Sequence, residues 1–184
     1  MNIFILSEDV TTIAKWQMSK HTIKMPLEST MMLSTAHRVL DGTPTKIKSK
    51  TGRNVTRYVL DDDRDSIIYG TSHINHPCTI WTRQTSENYK WHFNLLLALF
   101  KEYTYRYGKK HSCEKLIPYL QNVPKNIPEG PLTRFAVAMP DDCIVPGDPV
   151  SSYKCYYILK KQHLASWSGK INSRPVPQWF SYND

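Results

Sequence analysis

Two long stretches of the chain carry apolar residues at helical spacing. The stronger runs from Asn88 to Tyr107, where apolar side chains recur every three or four residues and Gly108 follows as a stop. The other runs from Ser19 to Leu40 and ends at Asp41-Gly42. Because Pro26 supplies no backbone donor, we expect it either to kink this helix or to mark its true first turn.

Shorter helices are indicated by capping residues that precede apolar positions. Ser7 or Asp9 is placed to cap a first helix, and Asn75 followed two residues later by Pro77 has the form of another helix start. A further short helix is predicted from Val150 to about Lys161. These segments add to the two long helices and make the chain mainly helical.

Between residues 43 and 70 the pattern changes to alternating and β-branched positions, which predicts a hairpin insertion. Its two strands flank the turn sequence Ser49-Lys50-Thr51-Gly52. This is the most basic part of the chain, with cations at Lys46, Lys48, Lys50, Arg53 and Arg57. The hairpin either binds phosphates or is an exposed, charged hairpin whose lysines and arginines only keep the protein soluble.

Residues 117 to 149 contain seven prolines, which predicts a long wrapping loop rather than regular structure. No repeat, low-complexity tract or linker divides the chain. The elements together predict a mainly α fold: a compact single-domain helical bundle over residues 1–184, with a small β-hairpin and long proline-rich loops.

Composition narrows the class of protein further. The 184 residues are 40% hydrophobic and 22% charged, which is ordinary for one globular domain. The longest apolar run, Leu95 to Phe100, is far short of the roughly 18 residues that cross a membrane, so we expect no membrane association. The opening run Ile3 to Leu6 is too short for a signal-peptide core and is interpreted as a short buried strand or an ordered arm.

The cysteine and charge patterns bear on cofactors and partners. The four cysteines include no C-x-x-C pair, so we expect no metal or other cofactor and a reducing cytoplasm. The 24 Lys and Arg against 16 Asp and Glu give a net charge of +8, which favours nucleic acid as a partner, although a solvated basic surface would have the same composition. No P-loop, G-x-G-x-x-G or G-x-S-x-G motif occurs.

One candidate for chemistry lies in the second helix. Lys20, His21, Lys24 and Glu28 are spaced so that they share one side of that helix, beside its apolar stripe. Two cations, an imidazole and a carboxylate would therefore line one wall. The alternative is an ordinary exposed Lys–Glu pair.

The order of residues in the first 108 positions resembles the pyrimidine dimer DNA glycosylase family. The matching positions are Lys20-His21, Lys24-Met25, Glu28, Met32-Leu33, Thr35-Ala36, Asn75-His76-Pro77, Trp81, Asn88-Tyr89, Glu102-Tyr103 and Arg106-Tyr107-Gly108. The resemblance implies that Glu28 is the essential acid and that His21 belongs to the same site. It also implies double-stranded DNA as the partner, in the cytoplasm of a bacterial or phage-infected cell.

The family's mechanism uses an amine that attacks the sugar C1′ and forms a Schiff base, followed by strand cleavage. An α-amino group, with a reference pKa of about 7.7 to 8.0, is unprotonated near neutrality far more readily than a lysine. The family uses its processed N-terminal residue, whereas Asn2 does not favour removal of Met1. The nucleophile is therefore left open between Met1, Asn2, Lys20 or Lys24, and water activated by Glu28.

Binding of a duplex would require cations and rings outside this cluster. We expect the nucleic-acid-binding residues to be Lys20, Lys24, Arg38, His76, Arg83, Lys90, Arg106, Lys109, Tyr153 and Tyr157. The last two belong to a Tyr153-Lys154-x-Tyr156-Tyr157 segment that is similar to an aromatic, basic patch of the family. Candidates for insertion into the stack are Trp16, Trp81, Trp91, Tyr105, Trp167 and Trp179.

These observations favour a monomeric DNA glycosylase that excises a damaged or modified base, with an associated AP-lyase activity if a Schiff base forms. One alternative is a nucleobase-modifying or transferring enzyme on the same scaffold. The other is a non-catalytic nucleic-acid-binding protein. The lesion or modified base is not indicated by the residues.

Overall fold

A computed structural model describes residues 1–49 and 51–182. Two long helices lie at its centre, packed against each other, and the shorter elements surround them. Within the described residues the helices are α1 (Val10–Trp16), α2 (Ser19–Asp41), α3 (Arg64–Ile67), α4 (Pro77–Thr82), α5 (Ser86–Tyr107), α6 (Ile117–Leu120) and α7 (Pro149–Lys161), and the strands are β1 (Thr43–Lys48) and β2 (Asn54–Val59). The prediction of a mainly α, single-domain fold is confirmed.

The first hydrophobic core forms around the first half of α2. Met18, Met25 and Met32 are spaced by seven residues, lie on one face and are all buried. They pack in one cluster with α1, α7 and the N-terminal arm (residues 1–6), whose side chains Ile3 to Leu6 are also buried. The arm contains no strand, so the ordered-arm interpretation is confirmed and the strand interpretation is wrong.

A second core forms around the other half of α2. Leu33 and Ala36 pack in one cluster with Leu96 and Phe100 of α5 and with Leu60, which follows β2. α2 therefore joins both cores. This fixes its first half, which carries the candidate residues, relative to the rest of the molecule.

Helix ends mostly follow the local sequence. Asp9, and not Ser7, caps α1 by accepting from the Thr12 N–H. Pro26 lies inside α2, which continues through it, so the alternative of a first turn is wrong. The cap of α4 is His76 rather than Asn75, because the His76 Nδ1 accepts from the Cys78 N–H at 3.2 Å.

The basic hairpin is confirmed as an antiparallel pair, with Lys46 opposite Thr56 and Lys48 opposite Asn54. Lys50 lies outside the described residues. The segment 43–70 is not all hairpin, since Asp62, Asp63 and a short helix, α3, follow β2. The hairpin strands are exposed along nearly their whole length.

The proline-rich segment is largely irregular, as predicted, and residues 121–140 contain neither helix nor strand. It is not one uninterrupted loop, because α6 and a 3₁₀ turn at Asp141–Cys143 lie within it. It crosses both cores, where Ile127 packs on the second and Phe135 on the first. Among the described residues, no helix is long and apolar enough to cross a membrane.

Candidate active site

A cavity of about 340 Å³ lies where the N-terminal arm, the first half of α2 and the end of α7 meet. We call it the Glu28 cavity. The residues that line it are Met1, Asn2, Phe4, Lys20, His21, Lys24, Met25, Glu28, Tyr156, Lys161 and Leu164. All six residues predicted for the reaction centre, namely Met1, Asn2, Lys20, His21, Lys24 and Glu28, therefore share one cavity.

The Glu28 carboxylate is 7% exposed and is held from both sides. Its Oε2 accepts from the Asn2 backbone N–H at 3.0 Å and lies 3.8 Å from the Met1 α-amino nitrogen. Its Oε1 lies 3.0 Å from the Lys24 Nζ. Two amines are thus placed beside a single carboxylate that has little freedom to move.

The N-terminal arm is fixed in this position by its own polar contacts. The Asn2 side chain accepts from the N–H groups of Ile3 and Phe4 and donates to the Ala138 carbonyl oxygen at 2.7 Å. Phe4 has a φ of 53°, which is rare for a bulky residue and costs on the order of 1–3 kcal/mol. This turn places the Phe4 ring over His21, with ring centroids 4.5 Å apart.

His21 lies on the wall of the cavity in its neutral form. Burial, together with the smaller effects of the Lys161 and Lys24 charges, lowers the pKa of His21 to about 4. Its Nδ1 lies 2.7 Å from the Tyr157 hydroxyl, which in turn donates to Gln17 Oε1 at 2.8 Å. With that donor direction the Nδ1 carries the proton, and the Nε2 lone pair is left for a ligand.

Positive charge surrounds the single carboxylate. Lys20, Lys24 and Lys161 line the cavity, and the Lys161 Nζ lies 4.9 Å from the centre of the Tyr156 ring. The cavity therefore combines three ammonium groups, an aromatic wall and one acid. Such a lining suits a ligand that carries phosphates next to a planar group.

Four residues predicted to bind nucleic acid are buried, and for them the prediction is wrong. Arg38 is 2% exposed and bonds Asp65, while Arg106 is fully buried and bonds Glu102. Tyr153 and Tyr157 are fully buried in the first core. The cavity is instead reached by Tyr156, from the same predicted aromatic segment.

Of the remaining predicted contacts, Lys20 and Lys24 line the Glu28 cavity, whereas His76, Arg83, Lys90 and Lys109 do not. His76 nevertheless lies near the cavity: burial lowers its pKa, the charge of the N-terminus lowers it further, and the charge of Glu28 raises it. His76 caps α4, and the Arg83 Nη1 donates to the Thr79 carbonyl oxygen. Lys90 and Lys109 are exposed, Lys90 in a pair with Glu87. Of the candidate rings, Trp81 and Trp167 are 3% exposed and belong to the core, which rules them out for insertion without unfolding.

Phe4, Tyr156, Lys161 and Leu164 line the cavity but were not predicted there. Lys161 and Leu164 come from the end of α7 and the turn after it, more than 130 residues from Glu28 in sequence. No local pattern connects them to α2. For Tyr156, the aromatic segment gave a signal, but it did not indicate which ring faces outward.

We expect Tyr157→Phe to lower the free energy of unfolding by about 1–3 kcal/mol, because it leaves His21 and Gln17 without their shared partner. The neighbouring Tyr156→Phe is the matched control, since Tyr156 is only half-buried. Urea denaturation of both variants measures the difference. Equal stability of the two would contradict the hydrogen-bonded role of the Tyr157 hydroxyl.

No family model, curated protein or solved structure matches this chain. The described residues contain no group of three or more His, Cys, Asp and Glu side chains that could hold a metal ion. The four cysteines are free, and three of them, Cys78, Cys113 and Cys143, are buried. The geometry of the Glu28 cavity is thus the main guide to function.

Proposed function

We propose that this protein is a DNA glycosylase that acts at the Glu28 cavity, with an associated AP-lyase activity. One observation carries the proposal: the buried Glu28 carboxylate touches the N-terminal backbone and lies 3.8 Å from the α-amino nitrogen, inside a cavity rimmed by lysines. A carboxylate beside the amine can act as the general base that removes its proton as the amine attacks a sugar.

In the proposed reaction Glu28 takes up a proton from the amine, whose nitrogen then bonds to C1′ while the glycosidic C–N bond breaks. The base leaves with the electron pair and takes up a proton from solvent. One proton of the new ammonium passes to the sugar O4′ as the ring opens to the protonated Schiff base, and Glu28 is placed to relay it. β-Elimination then follows: a base removes a proton from C2′, the C2′=C3′ double bond forms, and the C3′–O bond breaks as the 3′ phosphate leaves.

The amine is either the N-terminal one or that of Lys24. If Met1 is retained, its nitrogen lies 3.8 Å from Glu28; if it is removed, the Asn2 nitrogen lies at 3.0 Å. Both forms leave an amine beside the same oxygen. Lys24 is exposed and also contacts Glu28, so it is the competing nucleophile.

The lining of the cavity supports a flipped nucleotide as substrate. A duplex must release the target nucleotide from its stack before any group can reach C1′. Lys20 and Lys161 are placed to hold the flanking phosphates, and the Tyr156 ring offers a surface for the base. The net charge of +8 supports binding to the duplex.

The test is incubation with ultraviolet-irradiated, deaminated, alkylated and hypermodified duplexes, with borohydride present, followed by a search for abasic sites and a trapped adduct. We expect base release from at least one duplex and an adduct on the tryptic peptide 1–15, which contains the N-terminal amine. An adduct on a peptide carrying Lys24 would assign that lysine instead.

Undamaged duplex of the same sequence is the control and should give neither product. Base release without an adduct would leave Glu28 activating water, as in a monofunctional glycosylase. Binding of every duplex with no base release from any would contradict the proposed activity.

A further inference from the structure

The β1–β2 hairpin is the most basic segment of the chain and lies outside the Glu28 cavity. We propose that it is a second arm that binds the phosphate backbone of duplex DNA beyond the reacting nucleotide, an inference that rests on the proposed function for the identity of the polyanion. No acidic residue occurs between residues 43 and 60. The hairpin therefore has no internal counter-charge.

The register of the hairpin concentrates cations on one face. Lys46 and Lys48 alternate with Ile47, so both side chains project from the same face of β1. Directly opposite them lie the small polar residues Thr56 and Asn54. Both lysines are exposed and neither has an acidic partner among the described residues.

The other face shows that the hairpin is not covered by the rest of the protein. Ile47 is 39% exposed and its cross-strand neighbour Val55 is 42% exposed. An isolated two-stranded ribbon is only marginally stable in water. A ribbon of this kind that persists with both faces open must be held at its base.

The base of the hairpin is anchored to α2 by Arg38. Its guanidinium donates five hydrogen bonds, among them one to the Tyr58 carbonyl oxygen and one to Asp65. Asp65 also pairs with Arg57 at the foot of β2. At Gly42 an added Cβ would lie 2.6 Å from the Arg38 carbonyl oxygen, so the junction between α2 and β1 is closely packed.

The dimensions suit a duplex that also reaches the Glu28 cavity. Thirteen residues separate Glu28 from Asp41 on one helix, which is about 20 Å along its axis. About 20 Å of duplex is about six base pairs. Each six-residue strand is itself about 20 Å long, a length over which a duplex carries about a dozen phosphates.

Duplex DNA fits this surface better than a lipid bilayer does. On the face that carries Lys46 and Lys48, the residues directly opposite are the short polar Thr56 and Asn54, and the one large ring on that face, Tyr58, is half-buried at the base of the hairpin rather than free to enter a membrane. A two-stranded ribbon is also an element that a DNA groove can accept. The cations then meet phosphates on either side of that groove.

The test compares Lys46→Ala/Lys48→Ala with the wild type in binding to a fluorescent 30-base-pair undamaged duplex over a range of salt concentrations. Loss of two phosphate contacts should reduce the slope of log K against log[salt] by about 1.8. Lys101→Ala/Lys115→Ala removes the same charge from exposed positions elsewhere and should leave the slope near that of the wild type. Lys46→Arg/Lys48→Arg keeps both positive charges and should have the salt dependence of the wild type.

An unchanged slope in the hairpin variant, or an equal loss in the control variant, would overturn the proposal. The same holds if the hairpin variant loses binding to vesicles rich in phosphatidylserine but keeps its binding to the duplex. Base release measured on the same proteins separates the two proposals. A reduced slope without base release from any duplex would support DNA binding by the hairpin and refute the glycosylase. Base release with an unchanged slope would support the glycosylase and refute DNA binding by the hairpin.

Discussion

Glu28→Gln should lower the rate of base release by about 100- to 10,000-fold, the usual contribution of a positioned acid or base. The glutamine retains the shape of the side chain and can still accept from the Asn2 N–H through its carbonyl oxygen. It can no longer take up a proton beside the amine 3.8 Å away. Chemistry should therefore be lost while the Glu28 cavity keeps its form.

Glu87→Gln is the matched control, because Glu87 also pairs with a lysine on its own helix but is exposed and remote from the cavity. Single-turnover release from the best duplex of the panel measures the effect, with duplex binding measured in parallel. Equal rates for the two variants would remove Glu28 from the mechanism. A loss of binding in Glu28→Gln that accounts for the whole loss of rate would assign it a role in holding the substrate.

Much of the fold follows from local patterns. The apolar spacing predicts α2 and α5 to within a residue or two at most ends, and alternation predicts both strands of the hairpin. The cap of α4 was assigned to the wrong neighbour. Asn75 and His76 can both accept from a backbone N–H, and only the path of the chain decides which of them reaches Cys78.

Burial of cations is the clearest limit of prediction from the sequence. Arg38 is neutralised by Asp65, which lies 27 residues later, and Arg106 donates to the Lys15 carbonyl oxygen, 91 residues earlier. A charged residue in a basic chain is ordinarily assigned to the surface. Glu102, the carboxylate that pairs with Arg106, lies on the same helix, so only the Lys15 contact of Arg106 and the Asp65 pair of Arg38 depend on the tertiary fold.

In the candidate site too, some contacts follow from the local sequence and others only from the tertiary fold. Lys20, His21, Lys24 and Glu28 could be grouped because helical geometry places them on one side of α2. The return of the N-terminal arm onto Glu28 depends on the left-handed turn at Phe4. No propensity predicts that conformation for phenylalanine, so the contact between the arm and the acid could be expected only from the family resemblance.

Acid should destabilise the fold well above the pH at which carboxylates titrate. His21, His37 and His92 are all buried, and burial is the largest cause that lowers the pKa to about 4 for His21 and His37 and to about 3 for His92. These values lie below the unfolded value of about 6.5, so the unfolded chain binds the protons first as the pH falls. The stability is complete above pH 6.5 and is lost progressively towards pH 4.

By pH 5 each imidazole should have reduced the free energy of unfolding by about 2 kcal/mol, and the three together by about 6 kcal/mol. This is comparable with the whole stability of an ordinary domain. The carboxylates lose their contribution to stability at a lower pH than the imidazoles do. Hydrogen bonding to Arg64, for example, lowers the pKa of Asp62 to about 2, so its contribution is lost only below about pH 4.

Urea denaturation at intervals between pH 7.5 and 4.5 measures this dependence. His92→Gln should remove about 2 kcal/mol of the stability lost between pH 6.5 and 5, because that position no longer takes up a proton on unfolding. His163→Gln, at an exposed position, should retain the full slope. A wild-type stability that stays constant from pH 6.5 to 5 would show that these imidazoles are protonated in the folded protein. The assignment of a neutral His21 in the Glu28 cavity would then also be wrong.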